Sequence, residues 1–229
     1  VGGADAPRPI YRKTFTPPLL AERLPDGSLT PDLLSSIRQA MIEQGRSAEA
    51  IHVASLTTMR IKDDWEAWRK AVADSGLDGK LSKTEDQLRL DLTGDDVTTA
   101  ELESLLMKVP VQRIYLQSCN NLSSLDFARG SQLSSLYIVY CPVSDLTPLE
   151  GLRLKSFTAL LPKLKDISPL KGMPLQRLLL QGCPVSDLRV IKGMPLVELD
   201  LASTLVEDFS SLRDLPLKKL RLNGLARDL

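Results

Sequence analysis

The chain has 229 residues, 43 % of them hydrophobic, enough apolar material for a sizeable core and incompatible with a disordered or collagen-like chain. Lys plus Arg and Asp plus Glu balance at 29 each, and neither side of Thr84 is a basic arm, so composition offers no broad field for nucleic acid, a membrane surface or an acidic substrate. No apolar run approaches the roughly 20 residues that span a bilayer. Three widely spaced Cys and a single His, His52, form neither a disulfide framework nor a CxxC metal site nor the usual catalytic triad, so no metal and no cofactor is expected. No leader pattern opens the sequence, but it begins at Val1 rather than Met, so this says nothing about compartment.

Residues 1–29 carry Pro7, Pro9, Pro17, Pro18 and Pro25 and read as an extended linker. Residues 30–84 read as a helical cap. One helix has Thr30 as N-cap, Pro31 at the first position, Leu33, Ile37, Ala40 and Met41 on one face, and Gly45 as its stop. A second lies in "DDWEAWRKAVADSG", capped by Asp63 or Asp64, with Trp65, Trp68 and Val72 facing the core and Gly76 closing it. Between them, 46–62 is ambiguous in pattern and is read as helix.

From residue 85 onward the chain repeats itself. Leu154, Leu175, Leu196 and Leu217 are spaced by 21 residues, and Val111, Leu133 and Leu154 by 22 and 21. Each unit reads L-x-x-L-x-L, as in Leu175/Leu178/Leu180, whose last two positions alternate as a half-buried strand requires. Val143, Val185 or Val206 follows, then Leu146, Leu188 or Phe209, then Leu149, Ile191 or Leu212. That second half is too short for a long helix. Pro148 and Pro169, with Gly151, Gly172 and Gly193, predict a 3-10 turn and a tight return. The first unit, "QLRLDLTGDDVTTAELESLLMKVP", differs, because its return segment favours helix around Leu102, Leu105 and Leu106. Such a unit cannot bury its apolar edge alone, so the fold class is α/β: a repeat solenoid over 85–229 with a parallel sheet and an N-terminal helical cap.

The phrase "VSDLRVIKGMPL" and the L-x-x-L-x-L spacing resemble the short leucine-rich repeats of bacterial proteins, of internalin and planctomycete type. "DDWEAWRKAVADSGLDGK" is similar to the helix and strand that precede such repeats in the planctomycete versions. The resemblance covers about 63–229 and implies a leucine-rich-repeat solenoid serving adhesion, inhibition or scaffolding rather than catalysis. The sequence does not name a compartment, and an extracytoplasmic one, secreted, periplasmic or surface, is favoured over the cytoplasm. Some members carry a kinase domain in the same chain, whose motifs are absent from this sequence.

Cys119, Cys141 and Cys183 each fall three residues after the last strand aliphatic, and Thr204 holds the equivalent place. This register gives them a structural role, turned inward to bond loop backbone. A Cys119–Cys141 disulfide between stacked units is the alternative, and a thiol hydrolase pairing a Cys with His52 is a more distant one. Asp95/Asp96 and Glu207/Asp208 read as solvated loop charges, with a calcium site as the alternative. The third unit departs from the pattern, with Ala159 at an aliphatic strand position and Pro162 in the Cys/Thr column.

Strand alternation predicts which side chains leave the core for the concave face. Arg113, Tyr115 and Gln117 do so, then Ser135, Tyr137, Val139 and Tyr140, then Ser156, Thr158, Leu160 and Leu161, then Arg177, Leu179 and Gln181. Aromatic residues beside an aliphatic stripe with a charged rim suit a protein interface. The expected function is therefore a non-catalytic module that holds a protein or peptide on this face. The alternatives are a spacer segment of a larger multidomain protein, such as one with a kinase domain, and a glycan-binding surface. No nucleic acid and no membrane insertion are expected, whereas self-association through the C-terminal end is.

Overall fold

A computed structural model describes residues 65–84 and 87–222, the backbone of 225–228, and three helical, half-buried positions at Ile37, Ala40 and Met41. The linker at 1–29, the rest of the first cap helix, the stretch 46–62 and His52 lie outside the described residues.

Helix α1, Trp65–Asp74, buries Trp68 and Val72, one turn apart, and packs Trp65 partly against the same core. It stops where expected. Gly76, with φ 76°, lets its N–H reach Ala73 O at 2.9 Å and that of Leu77 reach Val72 O at 3.1 Å, satisfying carbonyls of the last turn. The cap region is not helical throughout, however. Leu81–Thr84 forms strand β1, antiparallel to β2 at Gln87–Thr93, because only two residues separate them and the single inward side chain, Leu81, completes the end of the core.

Parallel pairing runs from β2 through β3 (Arg113–Gln117), β4 (Ser135–Val139), β5 (Ser156–Leu160), β6 (Arg177–Leu179) and β7 (Glu198–Asp200) to β8 (Lys219–Leu222). Antiparallel β9, Leu225–Asp228, completes a nine-stranded sheet in sequence order. Helix α2, Thr99–Lys108, connects β2 to β3; Thr98 and Glu101 cap it reciprocally, and Leu102, Leu105 and Leu106 are buried. Every later crossover uses a three-residue 3-10 turn instead, at Asp126–Ala128, Thr147–Leu149, Ser168–Leu170, Arg189–Ile191 and Ser210–Leu212. This is the leucine-rich-repeat solenoid.

The turns explain the recurrent Asp. Asp145, Asp166, Asp187 and Asp208 each accept the N–H two residues on, at 2.8 Å, so the side chain replaces a backbone partner at the head of the turn. The Arg189 guanidinium and N–H hold the Asp187 carboxyl down to about 2. Asp208 is thus a turn former rather than a merely solvated charge. Asp95 ion-pairs with Lys80 at 3.0 Å, and Asp96 accepts from Asn121 at 3.3 Å.

Strand ends follow one rule with one exception. Two residues after the last inward aliphatic, the backbone is left-handed at Gly94, Ser118, Tyr140, Gly182 and Ser203, and in every one of these units but the first, where Asp95 pairs with Lys80, the side chain that follows turns into the core. Those side chains are Cys119, Cys141, Cys183 and Thr204 in the later units, all buried. Cys119 Sγ reaches Leu92 O at 3.3 Å, Cys141 Sγ reaches Val139 O at 3.5 Å, Cys183 Sγ reaches Ala159 O at 3.5 Å, and Thr204 Oγ1 reaches Leu201 O at 2.8 Å. All three thiols are free, and burial pushes each up, Cys119 to about 11, which leaves little thiolate for chemistry.

The exception is Leu161, expected on the concave face but fully buried. Pro162 follows it, and a residue before proline is confined to extended conformations, so Leu161 cannot take the left-handed turn and its side chain points inward one position early. Its N–H bonds Cys183 Sγ at 3.4 Å, Pro162 is exposed, and the neighbouring small Ala159 leaves the core room for it.

Toward the C-terminal end the core thins. Leu212, Leu215, Leu217, Leu220 and Leu222 are only partly buried, and Leu205 and Phe209 are exposed.

A candidate partner-binding face on the sheet

In-register parallel pairing lines up the outward residues as rows across the sheet. Arg89, Arg113, Ser135, Ser156, Arg177, Glu198 and Lys219 form the row nearest the strand starts. Asp91, Tyr115, Tyr137, Thr158, Leu179, Asp200 and Arg221 form the middle row. Thr93, Gln117, Val139 and Leu160 form a third. These rows occupy the face opposite the core, which is the concave face of a solenoid of this kind.

At its centre Tyr115 and Tyr137 stack with ring centroids 5.3 Å apart and planes inclined by 23°. The geometry is that of favourable offset aromatic pairs. The Arg89 guanidinium lies 3.8 Å from the Tyr115 centroid and pairs with Asp91 at 2.6 Å, while its Nε has no partner. Arg113 donates to the Tyr115 hydroxyl at 3.0 Å. Tyr115 is therefore held on two sides. Sequence reasoning missed Arg89, because β2 was read as an atypical first unit and its outward residues were not assigned to the face.

Beside the tyrosines, Leu160 and Leu179 are half-buried, and Gln117, Arg177 and Gln181 are exposed. Arg177 pairs with Glu198 at 2.7 Å, and Arg221 with Asp200 at 3.5 Å. Val139 departs from expectation: it is outward in register yet only 5 % exposed. Its row neighbours are the longer Gln117 and Leu160, and a short branched side chain between two longer ones is shaded from solvent.

Tyr140 departs in another way. It lies beyond β4 rather than in the middle row, with φ 56° and 57 % exposure. A bulky residue in the left-handed region is strained by about 1–2 kcal/mol, and little burial repays it here. Tyr140→Gly is expected to leave stability unchanged or raise it by up to about 1 kcal/mol, because relief of strain outweighs the greater freedom of Gly in the unfolded chain. Thermal melting measures this; a fall in Tm of several degrees would show that the ring packs after all.

At the strand starts from β4 to β8, two successive N–H groups share one carbonyl of the preceding unit. Ser134 and Ser135 share Gln112 O at 2.8 and 3.1 Å, and Gln176 and Arg177 share Lys155 O at 2.8 and 3.1 Å. An open cleft of about 410 Å³ lies along these residues, lined by Arg113, Tyr115, Ser135, Lys155, Ser156 and Arg177 among others. Lys155 immediately precedes β5, where alternation assigns no direction, so the sequence did not place it on this face. Among the described residues, no helix is long and apolar enough to cross a membrane, and no group of three His, Cys, Asp or Glu could hold a metal ion.

Neither a family model nor a curated protein sequence matches the chain. Among solved structures it is similar to internalin C2 of Listeria monocytogenes, with a TM-score of 0.54 and 23 % identity over 58 % of this chain and 60 % of that one. It is also similar to a second internalin of Listeria monocytogenes, with a TM-score of 0.51 and 20 % identity over 71 % of this chain and 57 % of that one. The match thus spans less than two thirds of either internalin. These likenesses show the fold alone, and the chain is a leucine-rich-repeat solenoid.

Proposed function

We propose that the protein is an interaction module that holds a protein or peptide partner on the concave face of its sheet. The observation that carries this reading is the field formed by the stacked Tyr115 and Tyr137 with Leu160 and Leu179, on the side of the sheet that the core does not need. The charged pairs Arg89–Asp91, Arg177–Glu198 and Arg221–Asp200 flank it. Rigid aromatic anchors with a polar rim are the usual anatomy of a protein interface.

Leu179→Glu tests the reading. The substitution sets a carboxylate beside Asp200, in the same row, without touching the core. A partner captured by the intact chain should be lost, while circular dichroism and Tm stay close to those of the parent. Equal capture by both would contradict the reading and favour a spacer segment.

A further inference from the structure

We infer that the cleft at the strand starts is a subsite for a carboxylate side chain, so that the partner is an acidic, extended peptide segment. This rests on the concave-face reading and narrows it.

The chemistry of the cleft is one-sided. Arg113 and Lys155 project into it, and among the described residues no carboxylate lies within ion-pairing distance of either. The other cation there, Arg177, is already matched by Glu198 at 2.7 Å. Two positive charges therefore stand in the cleft without a carboxylate partner among the described residues.

The hydroxyls lean the same way. Arg113 donates to the Tyr115 oxygen at 3.0 Å, so the phenolic hydrogen remains available to a ligand. Ser135 and Ser156 line the cleft, and no hydrogen bond within the described residues occupies their hydroxyls. A guanidinium, an ammonium, a phenol and two serine hydroxyls thus offer donors, with the one acidic group, Glu198, already engaged. What they lack is an acceptor bearing negative charge, and a charge-assisted hydrogen bond to a carboxylate supplies it.

Continuity with the apolar field favours a peptide over a sulfated glycan. Tyr115 belongs to both the cleft and the aromatic stack. From the Arg113 row to the Leu160 row is four strand residues, about 13 Å at the usual rise. An extended peptide covers that distance in about four residues. An Asp or Glu in the cleft then sets an aliphatic or aromatic side chain on Tyr137, Leu160 or Leu179. A sulfated glycan would satisfy the cations but has nothing for the aliphatic shelf.

The test is selection of random linear peptides on the intact chain, on a Leu179→Glu variant and on an Arg113→Gln/Lys155→Gln variant, each shown to be folded, with a sulfated heparin oligosaccharide as competitor. The inference expects enriched peptides rich in Asp and Glu followed by apolar residues. Their affinity should fall about tenfold for each cation removed and weaken as salt is raised. Replacing Glu by Gln in the best peptide should reproduce the loss on the intact chain and have little effect on the Arg113→Gln/Lys155→Gln variant. Peptides without acidic bias that still lose binding on Leu179→Glu would overturn this inference and leave the concave-face reading standing. Absence of any enrichment would overturn this inference, and the concave-face reading would then stand or fall on the Leu179→Glu capture test. Heparin binding that depends on Arg113 and Lys155, with no acidic peptides selected, would overturn the inference and assign the cleft to a glycan.

Discussion

Phe157→Ala is expected to lower the unfolding free energy by about 3–5 kcal/mol, whereas Leu220→Ala should cost about half as much or less. Phe157 is fully buried in β5, in register with Leu136 on one side and Leu178 on the other. Removing its ring opens a cavity at two stacking interfaces at once, and in a solenoid each unit is stabilised only by its neighbours. Leu220 lies in β8, where the side chains are only partly buried, so less contact is lost. Urea denaturation followed by circular dichroism reads both values. At about 2–4 °C per kcal/mol for a chain of this size, the Phe157 variant should melt some 10 °C lower. Equal effects at the two positions would mean that stability is not carried by the stacking described.

The second large effect concerns binding rather than folding. Tyr115→Ala combined with Tyr137→Ala is expected to weaken a concave-face partner by at least about a hundredfold, or roughly 2.7 kcal/mol, in keeping with the share that central aromatic residues take in interfaces. The cost in stability should be only about 1 kcal/mol. What the fold loses is the offset stack at 5.3 Å and the platform under Arg89. Arg89 keeps its pairing with Asp91 at 2.6 Å, and the core side chains of both strands, Ile114, Leu116, Leu136 and Ile138, are untouched. Isothermal titration with a captured partner, set beside denaturation of the same variant, separates the two quantities. A stability loss as large as the binding loss would make the stack structural.

Much of this was legible because the repeat is strict. The 21-residue spacing and the L-x-x-L-x-L triplets fixed the strands and the side that each residue faces, and Pro148 and Pro169 marked turns that are indeed 3-10. The failures have separate physical causes. Leu161 defies alternation because it lies past the strand end, where Pro162 forbids the left-handed turn made by the other units. Val139 was assigned the correct face, but exposure depends on the lengths of neighbours in adjacent units, which one strand does not show. Tyr140 was counted with the face although it occupies the left-handed position beyond the strand. β1 was absorbed into a helical region because "LSKT" is short and buries only one residue. Lys155 precedes its strand and joins the site through three-dimensional proximity, which strand alternation does not carry, whereas Arg89 lies in register with Arg113 and is legible once the first unit is aligned with the others.

Binding on the proposed face requires that a partner meet the sheet and not the convex turns. Photo-crosslinking distinguishes the two, with p-benzoylphenylalanine placed at Leu179, on the sheet face, or at Glu150, which follows a 3-10 turn and is exposed on the opposite side. With a partner captured by the parent protein, irradiation should give one discrete covalent adduct from position 179 and none from position 150. An adduct from position 150 alone, or equal adducts from both, would contradict the account.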